Sequence, residues 1–362
     1  MSFAKILLLL GVIALIHIVV IYGCMYTQRD QTSAVPVETM TARENLFGKI
    51  FTPVPESSAS ENHTQWLNRS ERKKPEKKRD DMRVKPWIYG KTAALPRNLD
   101  NQAKRARSGI IVDLASRQVL WEKNSRTPVA IASLTKLMSA LLIAEKVGKE
   151  ADFTLDTTVK LSKTAAAEAY RKFDVGDQFT VHELIQAMII GSSNDAAVQL
   201  AECVAGSADV FIAEMNVRAE KMGLTSADFN SVNGLPKGPK KINAQASAAD
   251  VLHLCEALMA HKIIMDACGE NHVKLANGRE LYTTNGLLLH PRPGRTYYRR
   301  VPGLIGFKTG FTNAAGFCLA FGVTRNGKTV LGCVTGFPSA ADRERFCSDL
   351  IEWAYKNEQV KK

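Results

Sequence analysis

The pattern of apolar and polar positions changes character along the chain. Residues 6–23, ILLLLGVIALIHIVVIYG, are apolar on every face and hold no formally charged residue. That length fits a membrane-spanning helix better than the shorter core of a signal peptide. Residues 27–105 show sparse apolar residues without a period, Pro/Ser/Thr clusters such as FTPVPESSAS, and the charge run RSERKKPEKKRDDMRVK at 69–85. That composition reads as a flexible, solvated tether.

Regular patterning begins near Ser108. SGIIVDLASRQVLWEKN (108–124) is two strand-like runs about a short polar turn, which predicts a hairpin. PVAIASLTKLMSALLIAEKVG (128–148) predicts a helix that follows Pro128 and stops at Gly148. Further helical patterns cover 180–190, 194–206, 208–223 and 247–260. The texture then turns strand-like through GLIGFKTG and GFCLAFGVTRNGKTVLGCVTGF, where Asn326-Gly327 marks a two-residue hairpin turn, and a last helix falls near 339–355. Strands, a helical block, strands and a helix predict an α+β domain. Its antiparallel sheet draws strands from both ends of the domain, is flanked by helices and carries a largely helical subdomain. The predicted organisation is an N-terminal anchor at 1–26, a tether at 27–105 and one folded domain at 106–356.

Charge supports this division. Of the net +12, +8 lies in residues 1–107 and +4 in residues 108–362. Neither a basic helix nor an aromatic-basic stripe points to a nucleic-acid partner. The chain holds seven cysteines. Cys24 closes IYGC, which loosely resembles a lipoprotein processing box, although Tyr22 fits it poorly. Because no small-x-small cleavage site follows the apolar run, an uncleaved anchor is the preferred reading. Either way, the rest of the chain is placed outside the membrane. The six remaining cysteines lack Cys-x-x-Cys spacing. Their even number permits disulfides in an exported domain, but the preferred reading is that most are small buried apolar residues.

Three short segments carry candidate chemistry. Ser133 and Lys136 stand three residues apart at the start of the helix predicted from IASLTKLMSA. Ser-x-x-Lys also occurs at Ser2–Lys5 and Ser70–Lys73, so the spacing alone decides nothing. At a helix start, however, Ser133 gains from the partial positive charge there. A desolvated Lys136 beside other cations can lose its proton and serve as a base. GSSNDAA, from Gly191, offers Ser192 and Asn194 on a turn between helices; its plain alternative is that Asn194 caps the next helix. FKTG (307–310) offers Lys308, Thr309 and Gly310 on a strand; its plain alternative is an edge strand with an exposed lysine.

Taken in order, Ser-x-x-Lys, Ser-x-Asn and Lys-Thr-Gly resemble the penicillin-recognising serine acyltransferases. The first two motifs start 59 residues apart and the next two 116 apart. Over about residues 106–350 the chain most resembles the D-alanyl-D-alanine carboxypeptidases, the low-molecular-weight penicillin-binding proteins. VNGLP and GLIGFKTGFTNAAGFCLA add to the likeness. The resemblance implies a β-lactamase/transpeptidase-like fold. It implies that Ser133 attacks the carbonyl of a peptidoglycan stem peptide ending in D-Ala-D-Ala, and that Lys136 takes its proton. It further implies that Ser192 and Asn194 complete the relay and hold the substrate amide. Lys308 would add positive charge and share hydrogen bonds with Ser192. Thr309 would bind the terminal carboxylate, and Gly310 would leave room for the substrate. The N–H groups of Ser133 and Phe311 would form the oxyanion hole. No metal or other cofactor is implied. β-Lactam antibiotics are implied as covalent inhibitors, and the bacterial cytoplasmic membrane is implied as the location, with the catalytic domain outside. The segments KGPKKINAQASAAD and LLLHPRPGRTYYRRVPG depart from the family pattern, which bears on substrate preference. A DD-endopeptidase or a non-hydrolytic penicillin-binding module remain alternatives. A class A β-lactamase does not, because 224–246 lacks the glutamate that its deacylation needs.

Overall fold

The computed structural model describes residues 83–90, 93–149, 153–288 and 301–358, all within the unit Pro75–Lys362. Ser108–Asp113 (β1) and Val119–Lys123 (β2) form the predicted hairpin, in antiparallel register. After α1 (Arg97–Ala103) and this hairpin come β3 (Val129–Ala130), a 3₁₀ turn at Ala132–Thr135 and α2 (Lys136–Lys146). The helical block continues with β4 (Thr158–Lys160), α3 (Lys163–Ala166), β5 (Gln178–Thr180), α4 (Val181–Ile189), α5 (Asn194–Ala205) and α6 (Ala208–Met222). Next are β6 (Gln245–Ala246), α7 (Ala248–Leu258), α8 (Lys262–Gly269), β7 (His272–Lys274) and β8 (Glu280–Tyr282). The chain returns to the sheet as β9 (Leu304–Thr312), β10 (Gly316–Arg325) and β11 (Lys328–Phe337), then closes with α9 (Ala340–Glu358).

The main sheet has the order β2-β1-β11-β10-β9, so strands from both ends of the domain meet at β1 and β11. Asn326 and Gly327 both have positive φ, +50° and +75°, as the two-residue turn joining right-twisted strands requires. The sheet is buried on both faces, because its side chains alternate between two cores. Ile110 and Val112 of β1, Ala320 of β10 and Leu331 of β11 face the helical block. Ile111, Phe321, Val330 and Val334 face α1 and α9. Within the block, α2 runs through the interior, buried from Lys136 to Ile143. Helix starts follow local chemistry: Thr180 and Glu183 make a reciprocal capping box on α4, and Ser207 and Ser247 cap α6 and α7. The six described cysteines are free thiols, five of them buried and Cys203 half-buried. Burial pushes Cys268 up to about 12 and Cys318 up to about 11, which keeps both protonated.

The stretch read as tether up to residue 105 is corrected over its described part. Trp87 is buried, stacks on His253 at 4.5 Å and donates from Nε1 to Ala249 O at 3.2 Å. The Arg117 guanidinium lies 4.3 Å from its ring centroid. Leu99 and Ala103 of α1 enter the core beneath α9, and Lys123 Nζ binds the carbonyls of Ala103, Lys104 and Ala106 just past the helix end. One tryptophan and one seven-residue helix make no sequence period, yet they anchor the segment. The apolar run at 6–23, Cys24 and the tether before residue 83 lie outside the described residues. Among the described residues no single helix is long and apolar enough to cross a membrane.

A chain beginning at residue 83 is therefore expected to unfold at a higher temperature than one beginning at 107. The longer chain retains Trp87 and Leu99, whose loss costs about 3 kcal/mol or more and lowers the midpoint by about 5 °C or more. Equal midpoints by calorimetry would show that residues 83–106 merely rest on the surface.

Candidate active site

Ser133 sits in the 3₁₀ turn that feeds directly into α2, rather than in the α-helix itself. The turn is entered through Ala132 at φ +47°, a conformation that non-glycine residues adopt only when neighbours enforce it. Two glycines make room for it. Gly234 has φ +84°, and a Cβ there would lie 1.9 Å from Ala132 O. A Cβ on Gly310 would lie 3.0 Å from Ile131 O and 3.1 Å from Ser133 N. The strand β9, at the edge of the sheet, thus runs directly against the Ser133 turn.

Lys136 has no exposed surface. Its Nζ lies 3.1 Å from Ser133 Oγ, 2.7 Å from Asn194 Oδ1 and 2.9 Å from Asn233 O. The last two partners can only accept. Asn194 is fixed in that sense because its Nδ2 donates to Ala169 O at 2.8 Å. A neutral amine has two N–H bonds and one lone pair. With both N–H bonds directed at Asn194 and Asn233, the lone pair is left for the Ser133 hydroxyl. Burial, and next the nearby charge of Lys308, push the Lys136 amine well below its ordinary 10.5, against the opposing charges of Glu168 and Asp195.

Lys308 is also buried, at 2% exposure, so the alternative of an exposed edge-strand lysine is set aside. Burial comes first among the causes that lower it to about 7; Cys268 opposes this and Arg343 adds to it. Its Nζ donates to Thr309 O at 3.1 Å. Among the described residues it makes no hydrogen bond with Ser192, which corrects the shared bond that the resemblance implied: the Lys308 amine turns to the neighbouring carbonyl instead. Ser192 is half-buried, in the left-handed region at φ +54°. Asn194 does not cap α5. Ser193 holds the N-cap position, its hydroxyl bonded to the Asp195 carboxylate, and Asn194 is freed to face Lys136.

Thr309 is buried and its hydroxyl is bonded to that of Thr284. Phe311 is 53% exposed and packs its ring 4.3 Å from that of Phe317, its cross-strand partner. The structure therefore gathers Ser133, Lys136 and Asn194 into one bonded cluster and brings Gly310 against it. Asn233, Gly234, Glu168 and Thr284 were missed from the sequence. Asn233-Gly234 gave a turn signal inside VNGLP; Glu168 and Thr284 gave none.

The family model described as D-alanyl-D-alanine carboxypeptidase matches residues 95–339. The D-alanyl-D-alanine carboxypeptidase DacC of Escherichia coli is 31% identical over 281 residues, covering 75% of this chain and 66% of the relative. DacF of Bacillus subtilis is 28% identical over 259 residues, covering 70% and 63%. The chain thus spans just under two thirds of the length of these relatives. Among solved structures, penicillin-binding protein D2 from Listeria monocytogenes in its cefotaxime-bound form superposes with a TM-score of 0.60 at 29% identity, covering 68% of this chain and 96% of that one. A Streptomyces K15 DD-transpeptidase mutant gives 0.60 at 26%, covering 70% and 98%.

Two outcomes follow from this geometry. Gly234→Ala should destabilise the fold by about 2 kcal/mol or more, because a methyl at positive φ meets the Ala132 carbonyl; an unchanged denaturant midpoint would contradict the close approach. Lys308→Met should raise the unfolding temperature most at low pH. Below about pH 7 Lys308 is charged in folded and unfolded chains alike, and the full burial penalty is present. Between 7 and 10.5 the folded chain releases a proton that the unfolded chain keeps, so wild-type stability rises. The gain from Lys308→Met should shrink across that window, and a variant no more stable than wild type at the acid end would contradict the penalty.

Proposed function

We propose, from the premise that the chain belongs to the D-alanyl-D-alanine carboxypeptidase family, that it removes the terminal D-Ala from peptidoglycan stem peptides through an acyl-enzyme on Ser133. The observation that carries this reading is the placement of Lys136 Nζ, which has two fixed acceptors and one partner able to give up a proton. Neutral Lys136 takes the Ser133 proton as Oγ attacks the penultimate carbonyl. The tetrahedral oxyanion forms beside the N–H groups of Ser133 and Phe311. The C–N bond to the leaving D-Ala breaks as its nitrogen gains a proton, relayed through Ser192. Water then attacks the ester as Lys136 takes its proton. The bond from the carbonyl carbon to Ser133 Oγ breaks, Lys136 passes that proton to Oγ, and the shortened peptide leaves with the Ser133 hydroxyl and neutral Lys136 restored. Thr309 and the positive charge of Lys308 receive the substrate's terminal carboxylate, and Asn194 holds the scissile amide.

The Listeria relative solved with cefotaxime and with ampicillin supports β-lactams as acylating inhibitors of this site. The likeness to a DD-transpeptidase favours a second reading, in which an amine replaces water as the acyl acceptor. The apolar run at 6–23 supports a chain held in the bacterial cytoplasmic membrane with the catalytic domain outside.

Ser133→Ala is expected to abolish covalent labelling by a fluorescent penicillin, and Lys136→Ala to slow it by about 100-fold or more. Wild type given a peptide ending in D-Ala-D-Ala should release free D-Ala. Full labelling of Ser133→Ala would end the assignment of the nucleophile. D-Ala release that requires an added amine acceptor would favour the transpeptidase reading.

A further inference from the structure

The loop Glu168–Phe173 touches the site at four points. Glu168 Oε2 accepts from Asn233 Nδ2 at 2.8 Å. The other end of that amide, Oδ1, accepts from Leu235 N at 2.9 Å, which fixes its orientation. The backbone carbonyl of Asn233 is one of the two fixed acceptors on Lys136. The next residue, Ala169, accepts from Asn194, the other fixed acceptor. Adjacent residues 168 and 169 therefore brace both groups that direct the Lys136 amine. Further on, the N–H groups of Lys172 and Phe173 bind Asp195 Oδ2 at 2.6 and 2.7 Å. Between the two pinned ends Tyr170 is 82% exposed at φ +57°, a strained conformation that the flanking bonds hold in place.

We infer that Glu168 is a positioning residue for the Lys136 base, holding Asn233 against the amine and supplying a negative charge on its side of the pocket. The inference rests on the proposed role of Ser133 and Lys136. Three charged groups act on Lys136: Lys308 from β9, Asp195 from α5 and Glu168 from this loop. The Asp195 carboxylate is occupied by Ser193, Ala196, Lys172 and Phe173. Glu168 is half-buried and reaches the site through Asn233. It precedes the second motif in the chain, whereas the glutamate of a class A β-lactamase follows it.

The sign of the effect is fixed. The Glu168 charge favours the protonated amine, so removing it makes the neutral base available at lower pH. The test is the second-order rate of acylation by a fluorescent penicillin from about pH 5 to 10, for wild type, Glu168→Gln and Glu168→Ala. Glutamine keeps an oxygen for Asn233 Nδ2 but loses the charge. It is expected to keep the high-pH plateau while its acid limb moves down by about half a pH unit or more. Alanine loses both functions, and its plateau should fall about tenfold or more as well. If Glu168→Ala fails to fold, Glu168→Gln still decides, because the position of the limb is independent of the fraction of active protein. A glutamine limb that is unmoved or moves up, while wild type acylates normally, overturns this inference alone. A wild type that forms no adduct at any pH overturns the reading of Ser133, and this inference with it.

Discussion

An amine with no exposed surface, held by three oxygens, sets the terms for the rest of this domain. Lys136 takes its partners from its own 3₁₀ turn, from the start of α5 and from the segment before β6. Burying a lysine is unfavourable unless its hydrogen bonds are met, and the penalty falls on the charged form. Here the bonds are met by neutral oxygens and the neighbouring cation Lys308 is itself buried, so the amine is hydrogen-bonded yet discouraged from carrying charge. That combination is what a base for a serine hydroxyl requires.

The architecture is arranged to deliver those oxygens. The sheet is built from both ends of the domain, which leaves a long middle segment to form the helical block. α2 threads the core of that block, so a side chain at its first residue is buried from the outset. α5 begins where Ser193 and Asp195 satisfy each other, which frees the Asn194 amide for the base. Gly234 and Gly310 let two backbones close on the Ser133 turn: a side chain at Gly234 would collide with the Ala132 carbonyl, and one at Gly310 would crowd Ile131 O and Ser133 N.

The elements set by strong periodicity or turn chemistry were legible in the sequence: the hairpin at 108–123, the helices beginning at 181, 194, 208 and 248, and the β9–β11 meander with its Asn326-Gly327 turn. The three motifs were legible because their residue types and intervals together are rarer than any one alone. What escaped was made by single residues acting across long separations. Trp87 and Leu99 anchor the segment before β1 without any period to announce them. Glu168 and Asn233 stand 65 residues apart and matter only once folded together. The free cysteines also needed the fold, since spacing alone left both disulfides and buried thiols open, and the described residues show buried or half-buried thiols. The pairing of Lys308 with Ser192, implied by resemblance, gave way to a local bond that no motif encodes.

The claim on which the account rests is the protonation of Lys136, and it is open to direct observation. In protein labelled with ¹³C at the lysine ε-carbon, the Lys136 resonance can be assigned by its loss in Lys136→Arg and followed against pH. The account predicts a titration midpoint well below 10.5, shifted by burial and by Lys308. A midpoint at or above 10.5 would mean that the amine stays charged beside Ser133, and that some other group takes the proton.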